Sequence, residues 1–131
     1  LTNDGALSLA QLVRQQAVDG PLDAEMQCLA GTVYFESKGE SLQGQLAVAR
    51  VVLARVESSR FPNSICGVVY QRSQFSFVRG GKMPRIKTGR QIWQRSITIS
   101  SIASGCSQSG LDRGSRSGAF ILFFLCSSHS R

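Results

Sequence analysis

Histidine occurs once, at His129, and no two of the four cysteines have Cys-x-x-Cys spacing. A zinc centre built from Cys and His is therefore not expected. No run reaches the roughly 18 to 20 apolar residues of a membrane-spanning helix, so no integral membrane segment is expected. Internal repeats are missing. Acidic side chains are absent from residues 58–111. The chain does not begin with Met, so a processed or trimmed form is expected, in which any signal peptide would already be gone.

What is present fits one domain with its own core: 131 residues, of which 42% are hydrophobic. The net charge of +7 is unevenly placed. Residues 1–57 carry four basic and seven acidic side chains; residues 58–131 carry eleven basic ones and a single acid, Asp112. Arg79, Lys82, Arg85, Lys87, Arg90 and Arg95 form the densest basic run. Such a run suits a solubilising face or a polyanion footprint (nucleic acid, anionic membrane or anionic wall polymer), and charge alone does not choose. No nucleic-acid motif accompanies it, so nucleic acid is not an expected partner. The even count of Cys28, Cys66, Cys106 and Cys126 is compatible with disulfides in an oxidising compartment, and also with buried free thiols.

Along the chain, residues 1–22 show a weak helical pattern (Leu7, Leu9, Leu12, Val13) broken by Asp19-Gly20-Pro21, read as a leader or linker with one short helix. Asp23 is a plausible N-cap, followed by a helical stripe of Met26, Leu29, Ala30, Val33 and Tyr34. Gly39 is expected to end that helix as its C-terminal cap. Ser41 caps a second helix. Its broad apolar face (Leu42, Leu46, Ala49, Leu53, Val56, widened by Val48, Val51 and Val52) makes it the expected central buried element. Asn63 is expected to cap a short helix through Val69. Gln74-Phe75-Ser76-Phe77-Val78 alternates like a short strand, and a glycine-rich basic loop follows. Residues 88–103 make a third major helix. The tail, 104–131, is serine-rich and holds an apolar run, Ala119–Cys126, that clashes with the rest of the composition.

The densest chemistry lies at Tyr34-Phe35-Glu36-Ser37-Lys38-Gly39-Glu40. Two carboxylates stand four residues apart at the seam between two helices. Glu36 falls about 90° from the centre of the apolar stripe at 3.6 residues per turn, where a side chain can be half-buried and still face a groove. A carboxylic acid held against apolar surface retains its proton more readily and can act as a general acid, the chemistry that breaks glycosidic bonds. The same spacing also suits a solvated helix end or a capping arrangement.

Cys28-Leu29-Ala30, Val33 to Glu40, Gly44 to Ala49, Val52 to Val56, Phe61 to Tyr70 and Gln74-Phe75-Ser76-Phe77, in that order, resemble the cell-wall hydrolase family that includes the spore cortex-lytic enzymes. The resemblance covers about residues 23–103. It implies a mainly α (α+β) fold: a compact lysozyme-like, lytic-transglycosylase-like domain with a short β segment. It places a catalytic domain at 23–103, between the 1–22 leader and a divergent 104–131 tail that either completes the domain or does not. The family usually continues with Gly-Ala and then an aromatic-His pair; Gly118-Ala119-Phe120 begins that way, but no His follows until His129.

The resemblance implies peptidoglycan as substrate and partner, no cofactor, and a bacterial protein exported to the periplasm or beyond; a monomer is expected. It carries the catalytic role onto Glu36, the first Glu of the family's Tyr-x-Glu-x-x-Gly-Glu motif. Gln74 and Ser76 would hydrogen-bond sugar hydroxyls, and Phe75 or Tyr34 would offer a ring to a sugar, with Phe77 assigned to the core. Cys28 and Cys66, both inside the resembling segment, are expected to pair. Glu40 is the secondary carboxylate. The scarcity of acids beyond residue 57 favours a one-glutamate lytic transglycosylase (or muramidase) over a paired-carboxylate glycosidase. The alternative is a non-catalytic peptidoglycan-binding module with a disrupted cleft.

Overall fold

The computed structural model describes residues 8–16 and 20–105. Cys106, Cys126, His129 and nearly all of the serine-rich tail lie outside the described residues. The described residues form five helices: α1 (Leu9–Gln15), α2 (Ala24–Ser37), α3 (Leu42–Glu57), α4 (Ile65–Val69) and α5 (Gln91–Ala103). The mainly helical class is as expected. Among the described residues no helix is long and apolar enough to cross a membrane.

Each of the first three major caps follows from a short polar side chain. Asp23 accepts from the Met26 backbone N–H at 2.8 Å, Ser41 from Gly44 at 3.1 Å and Ser64 from Gly67 at 3.0 Å. The cap of α4 is thus Ser64 and not Asn63. Part of the reason is tertiary. The Glu25 carboxylate, in the first turn of α2, accepts from the backbone N–H groups of Ile65 at 2.6 Å and Cys66 at 3.2 Å. A negative charge there satisfies orphan donors and meets the positive end of α4.

The central helix is α2, not α3. Every residue from Cys28 to Tyr34 is buried, because α2 is packed against α3, α4 and α5. The small residues Ala30, Gly31 and Thr32 permit this close packing. Thr32 disposes of its hydroxyl by donating to the Cys28 carbonyl at 2.8 Å. In α3 only Gln45, Ala49, Val52, Leu53 and Val56 are buried, and Val51 is 45% exposed. The valines that widen its stripe in the sequence face outward in part.

Two clusters make the core. The larger joins Leu29 and Val33 of α2 with Val52 and Val56 of α3, Ile65 and Val68 of α4 and Ile99 of α5; Leu9 and Val13 of α1 pack against it. The expected leader therefore contains a helix seated on the core. Burying each large aliphatic side chain contributes about 2 kcal/mol. The smaller cluster is Ala30, Tyr34, Trp93 and Ile97. Helix α5 forms although serine and β-branched residues dominate it, because it packs against α2 and α3; Ser96 and Thr98 satisfy their hydroxyls by donating to the Ile92 and Gln94 carbonyls at 3.0 Å each.

The strand expected at Gln74–Val78 is not formed. The segment is a pair of tight turns, closed by Gln74 N–H to the Gln71 carbonyl and Val78 N–H to the Phe75 carbonyl, both at 3.2 Å. A strand needs a partner, and the β pairing found among the described residues is one isolated antiparallel bridge between Arg79 and Lys82. Gly80 and Gly81 close that bridge with φ of 59° and 71°, the pair of positive values that a type I′ turn demands. The loop beyond is pinned by Met83, whose side chain lies so close over Gly31 that a Cβ there would collide with its sulfur.

Cys28 of α2 and Cys66 of α4 form a disulfide, with their Cα atoms 5.3 Å apart. The bridge and the Glu25 cap join the same two helices.

Candidate active site

The last turn of α2 sorts its side chains by angle. Tyr34 and Ser37, three residues apart, point into the core; Phe35 is half-buried; Glu36 is exposed. The expected half-burial of Glu36 is not observed. It stands at the open end of the helix, past the turn that Val33 and Tyr34 seat in the core. Ser37 is anchored through its hydroxyl to the Val33 carbonyl at 2.8 Å. The helix stops at Ser37, with Lys38 as its cap and the Glu40 N–H bonded to the Ser37 carbonyl at 2.9 Å. Gly39 does not adopt the left-handed conformation expected of it.

Aromatic packing ties this helix end to the paired turns. Phe35 stacks on Phe77 with ring centroids 5.0 Å apart, and Phe77 lies 5.7 Å from Phe75. Phe77 is half-buried against the core, in line with its assignment. The residue beside Glu36 is thus in contact with the segment that carries Gln74, Phe75 and Ser76. Ser76 is exposed, while Gln74 and Phe75 are half-buried.

Tyr34 occupies a different position. It is 6% exposed, with its ring 4.9 Å from Phe35, 6.0 Å from Trp93 and 5.2 Å from the Lys38 ammonium. Its faces are covered by protein, so of the two rings expected to meet a sugar only Phe75 is accessible. Glu40 is exposed at the entry to α3, where its carbonyl accepts from the buried Gln45 amide at 3.0 Å.

Arg55 was not anticipated as a site residue. From the last turn of α3 its guanidinium donates to Gln74 Oε1 at 2.8 Å and lies over the rings of Phe61 at 5.3 Å and Phe75 at 5.9 Å. Planar, delocalised charge suits that double stacking. No local signal in the sequence marks Arg55, because its partner Gln74 lies 19 positions away. Arg79, Lys82, Arg85, Lys87, Arg90 and Arg95 are all exposed. Among the described residues no group of His, Cys, Asp and Glu is arranged to hold a metal ion.

A family model described as Cell Wall Hydrolase matches residues 39–109. The match begins just past Glu36. The chain is 44% identical over 59 residues to a spore cortex-lytic enzyme of Bacillus cereus, covering 45% of this chain and 23% of that protein. A spore cortex-lytic enzyme of Bacillus subtilis is 41% identical over 59 residues, 45% of this chain and 19% of its own length. One from Halalkalibacterium halodurans is 39% identical over 64 residues, 49% of this chain and 19% of that protein. The aligned part is therefore about a fifth of each relative. No solved structure matches the chain.

Proposed function

The chain belongs to the cell wall hydrolase family, and from that premise we propose that it cleaves the glycan strands of peptidoglycan with Glu36 as the catalytic acid. The observation that carries this reading is the exposed Glu36 on the final turn of the most deeply packed helix, next to the Phe35–Phe77–Phe75 group. Glu36 can reach a ligand in solvent while its backbone is held by the core. A glycan laid across it would exclude water and favour the neutral acid.

In the proposed reaction the Glu36 carboxyl gives its proton to the glycosidic oxygen between N-acetylmuramic acid and N-acetylglucosamine. The bond from that oxygen to C1 of the muramic residue breaks, and the leaving sugar departs as an alcohol. The Glu36 carboxylate then takes the proton of the muramic residue's own 6-hydroxyl, whose oxygen closes on C1 to give a 1,6-anhydro end. A muramidase course differs only in that a water is deprotonated instead. A two-carboxylate mechanism needs a second acid about 5 to 9.5 Å away. Residues 58–111 supply none, and Glu40 stands at the start of the next helix, so the single-glutamate course is favoured.

Ser76 and the free amide of Gln74 are proposed to bond sugar hydroxyls, with Phe75 beneath a ring. Residues 23–103 are the proposed catalytic unit, acting as a monomer. The Cys28–Cys66 bridge supports export to the periplasm or beyond.

Mass analysis of the fragments released from purified sacculi tests the reading. Ends lighter by one water than a reducing end are expected from the transglycosylase. Reducing ends would make it a hydrolase. Binding without release would overturn catalysis and leave a wall-binding module.

A further inference from the structure

A hollow of about 350 Å³ lies between the two turns, lined among others by Tyr70, Gln71, Arg72, Phe75, Gly80 and Gly81. Its chemistry is unlike that of a neutral sugar site. The Oε1 atom of Gln71 is buried and has no hydrogen-bond partner among the described residues. A buried acceptor left in that state costs free energy until a donor reaches it. Arg72 is exposed at the same hollow, whose lining contains no acid. The preceding residue, Tyr70, is 37% exposed. On the opposite wall the backbone of Gly80 and Gly81 is bare: a Cβ at either position would meet no atom within 4 Å. Main chain without side chains, in a turn flanked by the cations Arg79 and Lys82, lets a ligand come against the backbone itself.

An orphaned acceptor, a guanidinium, two rings and a strip of open backbone match a ligand that carries an amide N–H donor and a carboxylate together. N-acetylglucosamine supplies the donor but no charge, and N-acetylmuramic acid loses its own carboxylate to the amide bond wherever a peptide is attached. A short acidic peptide supplies both. We infer that this hollow is a binding site for the peptide branch of the wall polymer, with a carboxylate held by Arg72 and the Gln71 side chain turning outward so that its Oε1 accepts from an amide N–H. The inference rests on the proposed substrate, and it deepens it. Phe75 borders both sites, so a strand whose sugar lies on one side of that ring would carry its peptide to the other. The enzyme would then prefer peptide-substituted strands over naked glycan.

The test uses the full chain and a sugar-free stem peptide released from sacculi by an amidase, with a second sample of that peptide whose carboxylates are converted to carboxamides. Amide chemical shifts read binding residue by residue. Shifts centred on Gln71, Arg72, Gly80 and Gly81 are expected, with about tenfold weaker binding for the carboxamide form and for Arg72→Gln. Gln71→Leu, which changes no charge, is expected to lose several-fold in affinity while keeping the dispersed spectrum of a folded chain. Equal binding of the two peptides, or shifts that avoid the hollow, would overturn the inference. So would an unaltered affinity in a folded Gln71→Leu protein. The peptide has no glycosidic bond, so this result stands or falls separately from cleavage by Glu36.

Discussion

Helix α2 and the segment from Gln71 to Arg90 meet at the candidate site, yet they are held in opposite ways. The helix is buried without a break from Cys28 to Tyr34, capped by Asp23 and bridged to α4 both by the disulfide and by Glu25. The segment has turns in place of ladders and is held by a few long-range contacts: Arg55 on Gln74, Phe35 on Phe77, Met83 over Gly31. A general acid must be presented at a fixed point, whereas groups that recognise a substituted polymer gain from a surface with hollows and exposed backbone. On the proposed function, positional precision falls to the helix and recognition to the turns.

The largest expected effect is on the helical side. The bridge closes a loop of 38 residues in separation, and the chain-entropy relation gives about 4 kcal/mol for a loop of that size. Replacing both Cys28 and Cys66 by Ser should lower the unfolding free energy by about that amount in denaturant melts, and a loss under about 1 kcal/mol would show that Glu25 and the core alone fix α4 on α2.

A smaller effect is expected on the other side. Arg55→Gln removes the Gln74 bond and both cation–ring contacts, which should cost about 1 to 2 kcal/mol of stability. The comparison is sharpened by kinetics: KM for soluble glycan strands should rise several-fold while kcat changes little, with Arg55→Lys restoring only part of the loss. A fall in kcat with KM unchanged would mean that the turns also set the position of the reacting groups.

How far the sequence could be read follows the same division. The stripes of α2 and α3 and the Asp23 and Ser41 caps are local signals of period 3.6, and they were legible. That α2 and not α3 is central was not, because apolar width in α3 says nothing about which faces find partners; Val51 is broad stripe in sequence and surface in the fold. Gln74–Val78 alternates because Phe75 and Phe77 both turn toward the core, and paired turns achieve that as well as a strand does. Glu25 on α4 and Arg55 on Gln74 link residues 40 and 19 positions apart, beyond any local pattern. Glu36 could be singled out from the resemblance, but its exposure depends on the helix ending where it does.

The central claim is that Glu36 alone supplies the proton, from a helix whose fold does not depend on it. Glu36→Gln removes the proton donor with almost no change of shape at an exposed position. Its release of soluble fragments from purified sacculi should fall at least a thousand-fold, about 4 kcal/mol of barrier, with thermal unfolding unchanged, while Glu40→Gln keeps a substantial part of the activity. Cleavage by a folded Glu36→Gln protein at a rate near that of the wild type would contradict the account.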